Sequence, residues 1–114
     1  MVERQPSALV VSAFPLAISN HNKILALAAH HKIPTMYAQF AYVYDGGLMG
    51  YSPVGPFRQL AIQYVARILK GEKPADLPIQ QPANFKLIIN LKTARTLGLM
   101  VPRDLLAMAD DVIE

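Results

Sequence analysis

The segment Ala8-Leu-Val-Val-Ser-Ala-Phe14 lies between Pro6 and Pro15 and is apolar without alternation. A strand with one wet face alternates apolar and polar side chains, whereas a strand covered on both faces reads as a continuous apolar run. The segment therefore predicts a strand buried on both sides, an arrangement that belongs to a mostly parallel sheet flanked by helices. The fold class is α/β.

The residues that follow supply the helices. Ser19 or Asn20 stands where it would cap a helix from about His21 to His31, with Ile24, Leu27 and Ala28 inward and Asn22 and Lys23 outward. Ile33-Pro34 stops that helix, because the residue before a proline is pushed out of the helical region, and Thr35 to Gln39 reads as a second short strand. Asp45-Gly46-Gly47 is a turn, Leu48 to Tyr51 a third short strand, and Ser52 to Pro56 a second turn.

Phe57, Leu60, Ala61, Tyr64, Val65, Ile68 and Leu69 keep strict three/four spacing, with Pro56 at the start and Gly71 just past the end, which defines a helix. Residues 72–82 hold three prolines and form an extended connector. Phe85 to Leu91 is a fourth strand. Lys92 to Leu97 is a short helix closed by Gly98, and Pro102 opens a last one with an apolar stripe of Leu105, Leu106, Ala109 and Ile113. Strands alternating with helices over such connections build right-handed βαβ units, whose ligands bind in the loops after the strands' carboxyl ends.

At 114 residues the chain is one small α/β unit, and 53% hydrophobic against 17% charged excludes a disordered chain. A net charge of +3 is too modest to imply a nucleic-acid partner. No apolar run approaches the roughly 20 residues that cross a bilayer. The start, Met-Val-Glu-Arg-Gln-Pro, alternates acid and base and has no apolar core, so the chain carries no export signal of its own. It is cytoplasmic if Met1 is the true start. The absence of Cys removes disulfides and thiolate nucleophiles but is compatible with either redox compartment.

No set of residues makes a catalytic or metal centre. His30 and His31 are neighbours on a helix, pointing about 100° apart, and no third ligand stands nearby in sequence; a solvated helix end is the plainer reading. Ser12 and Ser52 lack a nucleophile elbow. A small α/β hydrolase would need Ser12 within reach of a histidine supplied by the fold. Asp45-Gly46-Gly47 leads into a strand rather than a helix, so it is no phosphate loop, and no cofactor is expected. Tyr37, Phe40, Tyr42, Tyr44 and Tyr51 gather five aromatic rings in a short stretch. Core packing explains one or two of them, and an aromatic-lined cleft for a small molecule explains the clustering equally well.

Several stretches resemble one family. They are Lys23-Ile-Leu-Ala-Leu-Ala-Ala-His-His-Lys-Ile-Pro34, Asp45-Gly-Gly-Leu-Met-Gly-Tyr-Ser52, Tyr64-Val-Ala-Arg-Ile-Leu-Lys-Gly-Glu-Lys-Pro-Ala-Asp-Leu-Pro78 and Phe85-Lys-Leu-Ile-Ile-Asn-Leu-Lys-Thr-Ala-Arg-Thr-Leu-Gly-Leu99. They resemble the substrate-binding proteins of ABC transporters, in the group with tryptophan- and tyrosine-type binders, related to type I periplasmic binding proteins. The resemblance implies two flavodoxin-like lobes that close on a small organic ligand, possible aromatic amino acids included, and deliver it to a membrane permease outside the cytoplasm. This chain corresponds to the C-terminal third or so, with residues 8–71 as part of the second lobe and 72–114 as connector and returning strand and helices.

By matching position, the resemblance implies Ser12, Phe14, Asp45, Gly46 and Tyr51 near a ligand. Relatives frequently carry Ser-Asp-Pro where this chain has Ala13-Phe14-Pro15, so an aromatic ring replaces a polar contact. A fragment without ligand binding, vestigial or structural, is the alternative to a solute binder. A parallel sheet stripped of neighbouring strands exposes unpaired backbone and apolar faces, which predicts a homodimer or higher oligomer.

Overall fold

The structure, a computed structural model, describes residues 6–114. The alternating acid-base start read above lies outside the described residues. The chain divides into two compact units: residues up to Ser52 together with Lys86–Glu114, and Pro53–Phe85.

The first unit carries β1 (Leu9–Val11), α1 (Pro15–Ser19), α2 (His21–His30), β2 (Thr35–Tyr37), α3 (Phe40–Tyr44), and then α5 (Leu91–Leu97), α6 (Arg103–Met108) and β5 (Asp111–Ile113). Strands β3 (Met49–Val54) and β4 (Asn84–Asn90) belong to both units, and α4 (Phe57–Leu69) to the second. The five strands form one sheet in the order β1-β2-β3-β4-β5. Parallel pairing joins Leu9, Val10 and Val11 to Thr35, Met36 and Tyr37, then Met36 and Tyr37 to Met49 and Gly50, and Ile88, Ile89 and Asn90 to Asp111, Val112 and Ile113. The mostly parallel, helix-flanked sheet expected from the sequence is present.

The core of the first unit follows from the pleat. Val11 and Tyr37 are register partners on one face and are buried with Ala17 and Tyr42. Tyr37 and Tyr42 stack at 4.5 Å, and the Tyr42 hydroxyl donates to the Ala17 carbonyl at 2.7 Å, so α3 ties β2 to α1. The opposite face is open: Val10, one residue along, is 67% exposed. The expectation of a first strand buried on both faces is therefore corrected. β1 ends the sheet, and only one of its faces is covered by described residues.

Other differences have local causes. Between Phe14 and α2 the chain forms α1, with Pro15 at its first position, where a missing N–H costs nothing. Asn20 is the N-cap residue of α2, but its side chain makes no cap hydrogen bond. The Ser19 and Asn20 side chains instead donate back four residues, to the Pro15 and Leu16 carbonyls in the first turn of α1. Phe40–Tyr44 is helical despite its strand-forming composition, because the helix buries Tyr42 and Val43 together. β3 runs on through Ser52 and Pro53, which read as a turn; there it has outrun its last residue paired to β2, Gly50, and a proline is tolerated on such an edge. The last helix stops at Met108, and Ile113 lies in β5 rather than on a helical stripe. Asp110 enforces that change by accepting from the Leu87 N–H through its carboxylate while its own N–H donates to the Leu87 carbonyl, both at 2.8 Å.

In the second unit α4 spans the helix read from the sequence. Gly71 takes φ +106° beyond its end, Gly71 N–H donates to the Ile68 carbonyl, and Glu72 N–H donates to the Arg67 carbonyl. Arg67 also forks onto the Glu72 carboxylate, with Nη2 to Oε2 at 2.7 Å, which lowers the Glu72 pKa and raises that of Arg67. Within the connector, Pro74–Asp76 forms one 3₁₀ turn, Leu77 is buried, and the Tyr64 hydroxyl donates to the Pro78 carbonyl.

The two glycines of the first turn act differently. At Gly47 an added Cβ would stand 2.7 Å from the Tyr37 ring and 2.7 Å from the Tyr42 carbonyl oxygen, and that backbone atom cannot swing away. At Gly46 the space is open, but φ is +107°. Gly47→Ala is expected to cost about 1–3 kcal/mol by overpacking, and Gly46→Ala about 1–2 kcal/mol by backbone strain. Urea unfolding of both variants checks this, and only Gly47→Ala should also perturb the near-ultraviolet signal of the tyrosine stack.

Candidate functional site

Ser12, Ala13 and Phe14 follow directly from the carboxyl end of β1 and are all exposed, Phe14 at 43%. The Ala38 N–H donates to the Val11 carbonyl at 2.9 Å, extending the β1–β2 ladder up to this loop. Register carries the same level across the sheet: Val11, Tyr37 and Gly50 lie in one row, so Ser12, Ala38 and Tyr51 form the next. Tyr51 is half exposed and points to the face opposite Gly50, where a Cβ would meet Val43 and Phe40 of α3. Ser12, Phe14 and Tyr51 are thus brought to one end of the β1–β3 sheet. The five strands run in sequence order, so they contain no reversal of strand order among themselves.

Asp45 and Gly46 lie elsewhere, in the turn between α3 and β3, ahead of the first paired residue Met49. Their polar groups are engaged. The His21 Nε2 and the Asp45 Oδ2 are 2.8 Å apart, and the Thr93 hydroxyl donates to the Gly46 carbonyl at 2.8 Å. The His21 ring also lies 4.0 Å from the Tyr42 ring, tying the start of α2 to the stack beneath it. The structure does not gather the five expected residues into one cluster.

Three residues that sequence reasoning passed over organise this region. His21, expected from the sequence only as a helix start, fastens the turn through Asp45. Asn90 is buried, donates through Nδ2 to the Val43 carbonyl at 3.2 Å, and accepts the Thr93 N–H on Oδ1 as the cap of α5. Thr93 then reaches Gly46. The Asn-x-x-Thr spacing at 90–93 was the available signal, because an asparagine cap bonds the N–H three residues on.

Of the five clustered aromatics, Tyr37 and Tyr42 are core, while Tyr44 and Tyr51 are exposed. Burial raises both core phenol pKa values; at Tyr37 a hydrogen bond with Thr35 works against burial and the neighbouring Tyr42 adds to it. For such groups stability is complete below the unfolded-state value of about 10 and falls as pH rises through the folded-state values. Denaturant midpoints are expected to fall above about pH 10, and Tyr42→Phe should make that fall shallower.

The histidines do not build a reaction centre. His30 and His31 contact each other edge to face at 4.8 Å, and no group of three or more possible metal ligands occurs among the described residues. No histidine hydrogen-bonds Ser12 among the described residues, and the His21 Nε2 is directed to Asp45. No helix in the described residues is long and apolar enough to cross a membrane.

Comparison with solved structures places this architecture. A conserved domain protein from Vibrio cholerae superposes with a TM-score of 0.85 at 25% identity, over 97% of this chain and 38% of that one. The ABC domain from Streptococcus pneumonia, solved in complex with L-Trp, superposes with a TM-score of 0.79 at 29% identity, over 98% of this chain and 38% of that one. The open, ligand-free CD0873 of Clostridium difficile, described as a substrate binding protein with adhesive properties, shares the fold with a TM-score of 0.59 at 23% identity, over 93% of this chain and 36% of that one. The chain thus spans less than two fifths of these relatives' lengths. A comparison with curated proteins finds no match. The family model described as ABC transporter substrate binding protein matches residues 1–113, and the chain belongs to that family.

Proposed function

We propose that the chain is the C-terminal part of a solute-binding component of an ABC-type importer, acting outside the cytoplasm, taking a small organic ligand and presenting it to a membrane permease. The observation that carries this is the family match over residues 1–113, joined to the likeness to a domain solved with L-Trp. An aromatic amino acid is the proposed ligand. The exposed rings of Phe14 and Tyr51 offer apolar faces for an indole or phenyl group, and Ser12 offers a hydroxyl that both donates and accepts. The proposed contact set is Ser12, Phe14 and Tyr51; Asp45 and Gly46, engaged by His21 and Thr93 in the turn before β3, stand apart from it. The reading is that of a binder, not an enzyme.

Calorimetry of the chain against a panel of amino acids and small organic acids tests it. Saturable heat with an aromatic amino acid supports the reading, and its absence across the panel favours a structural fragment.

Self-association is proposed on a separate observation. β1 ends the sheet, has neither charge nor proline among Leu9–Val11, and shows Val10 at 67% exposure, all of which leave an edge ready to pair. A second copy of the chain covers it in a homodimer or higher oligomer. Light scattering at micromolar concentration should give at least twice the monomer mass, and a monodisperse monomer overturns this proposal.

A further inference from the structure

The second unit holds a cavity of about 320 Å³ that is separate from every residue discussed as a solute contact. That size is at the small end of ligand pockets, about 300–1,000 Å³, so it admits one small molecule rather than a length of peptide. Gln59 and Gln63 stand one turn apart on α4, and Gln80, Gln81 and Asn84 face them from the connector and the start of β4. Five carboxamides therefore line one cavity, and no side-chain hydrogen bond within the chain occupies any of them among the described residues. Phe57 supplies an apolar wall, its ring packed on Gly55 by one edge and its side chain still partly exposed.

The chemistry of this lining is selective. A carboxamide both donates and accepts, so it pairs with groups that do the same, while nothing charged lines the cavity. A carboxylate or phosphate would find no cation there, and an ammonium no anion, so a zwitterionic amino acid would exchange water for partners that leave both its charges uncompensated. Adjacent hydroxyl groups on an uncharged ring fit best. Their oxygens and protons match carboxamide pairs, and the ring's C–H face can lie against Phe57.

We propose that the cavity bounded by Gln59, Gln63, Gln80, Gln81, Asn84 and Phe57 is a second binding site, for a neutral saccharide. It goes beyond the proposed amino-acid site and does not depend on it, since it lies wholly within Pro53–Phe85.

The test is a titration of the 15N-labelled chain with glucose, galactose, maltose and cellobiose, read on the side-chain NH₂ resonances of the glutamines and Asn84. At least one sugar should shift these resonances saturably. Gln63→Ala and Gln80→Ala should each weaken binding about tenfold, the effect of losing roughly one such hydrogen bond. Both residues are exposed, so the folded spectrum should persist, and L-tryptophan should leave these NH₂ groups unmoved. The proposal is overturned if no sugar produces saturable shifts there, if shifts fall only outside Pro53–Phe85, or if both variants bind with unchanged affinity.

Discussion

Tyr42→Ala is expected to be among the most damaging single substitutions in this chain, costing about 3–5 kcal/mol, the range for deleting a buried aromatic ring. Tyr42 is 2% exposed, stacks on Tyr37 at 4.5 Å, lies 4.0 Å from the His21 ring, and donates to the Ala17 carbonyl. It therefore joins β2, α1 and α2 in one contact set. Domains of this kind have only about 5–15 kcal/mol in total, so the variant should be largely unfolded on mild heating. Tyr42→Phe keeps the ring and should lose only about 1 kcal/mol, because the Ala17 carbonyl still accepts the Asn20 N–H. Urea unfolding followed by circular dichroism measures both. A Tyr42→Ala loss near that of Tyr42→Phe would show that the stack does not hold the helices to the sheet. The proposed solute contacts would be affected as well, because α1 follows immediately from the Ser12–Phe14 loop and Ala17 anchors it.

Asn90→Ala should cost about 2–4 kcal/mol, combining a lost helix cap with a buried carbonyl left without its side-chain donor. Asn90 is 5% exposed, donates to the Val43 carbonyl, and holds the first turn of α5 through Thr93 N–H. Asn90→Ser separates these roles. A serine oxygen can still accept at the cap but is too short to replace the amide donor, so about half the loss should return. The same unfolding experiment reads it. Because Thr93 also donates to the Gly46 carbonyl, displacement of α5 should appear as amide shifts at Gly46 and Gly47. An Asn90→Ala variant as stable as the parent would contradict the assigned role.

How much of this was readable beforehand depended on where local and tertiary forces agreed. The Pro56 and Gly71 boundaries of α4 were legible because one sets a helical φ and the other tolerates φ +106°, independent of the rest of the fold. Pro34 marked the approach to β2 in the same way. Phe40–Tyr44 was not legible, since its aromatic and β-branched composition favours a strand and only the burial of Tyr42 and Val43 makes it a helix. β5 was hidden because Leu105, Leu106, Ala109 and Ile113 keep a helical period, whereas the paired bonds between Asp110 and Leu87 are long-range. The candidate site divided similarly. The loop after β1 follows from strand order alone, but the engagement of Asp45 by His21 and of Gly46 by Thr93 depends on residues 24 and 47 positions away.

The carboxyl ends of β1–β3 are the proposed seat of an aromatic solute. Amide chemical-shift mapping during titration with L-tryptophan reads this site residue by residue. Saturable shifts at Ser12–Phe14 and Tyr51, weakened by Phe14→Ala, are the predicted result. Absence of saturable shifts, or shifts confined to Pro53–Phe85, would contradict it.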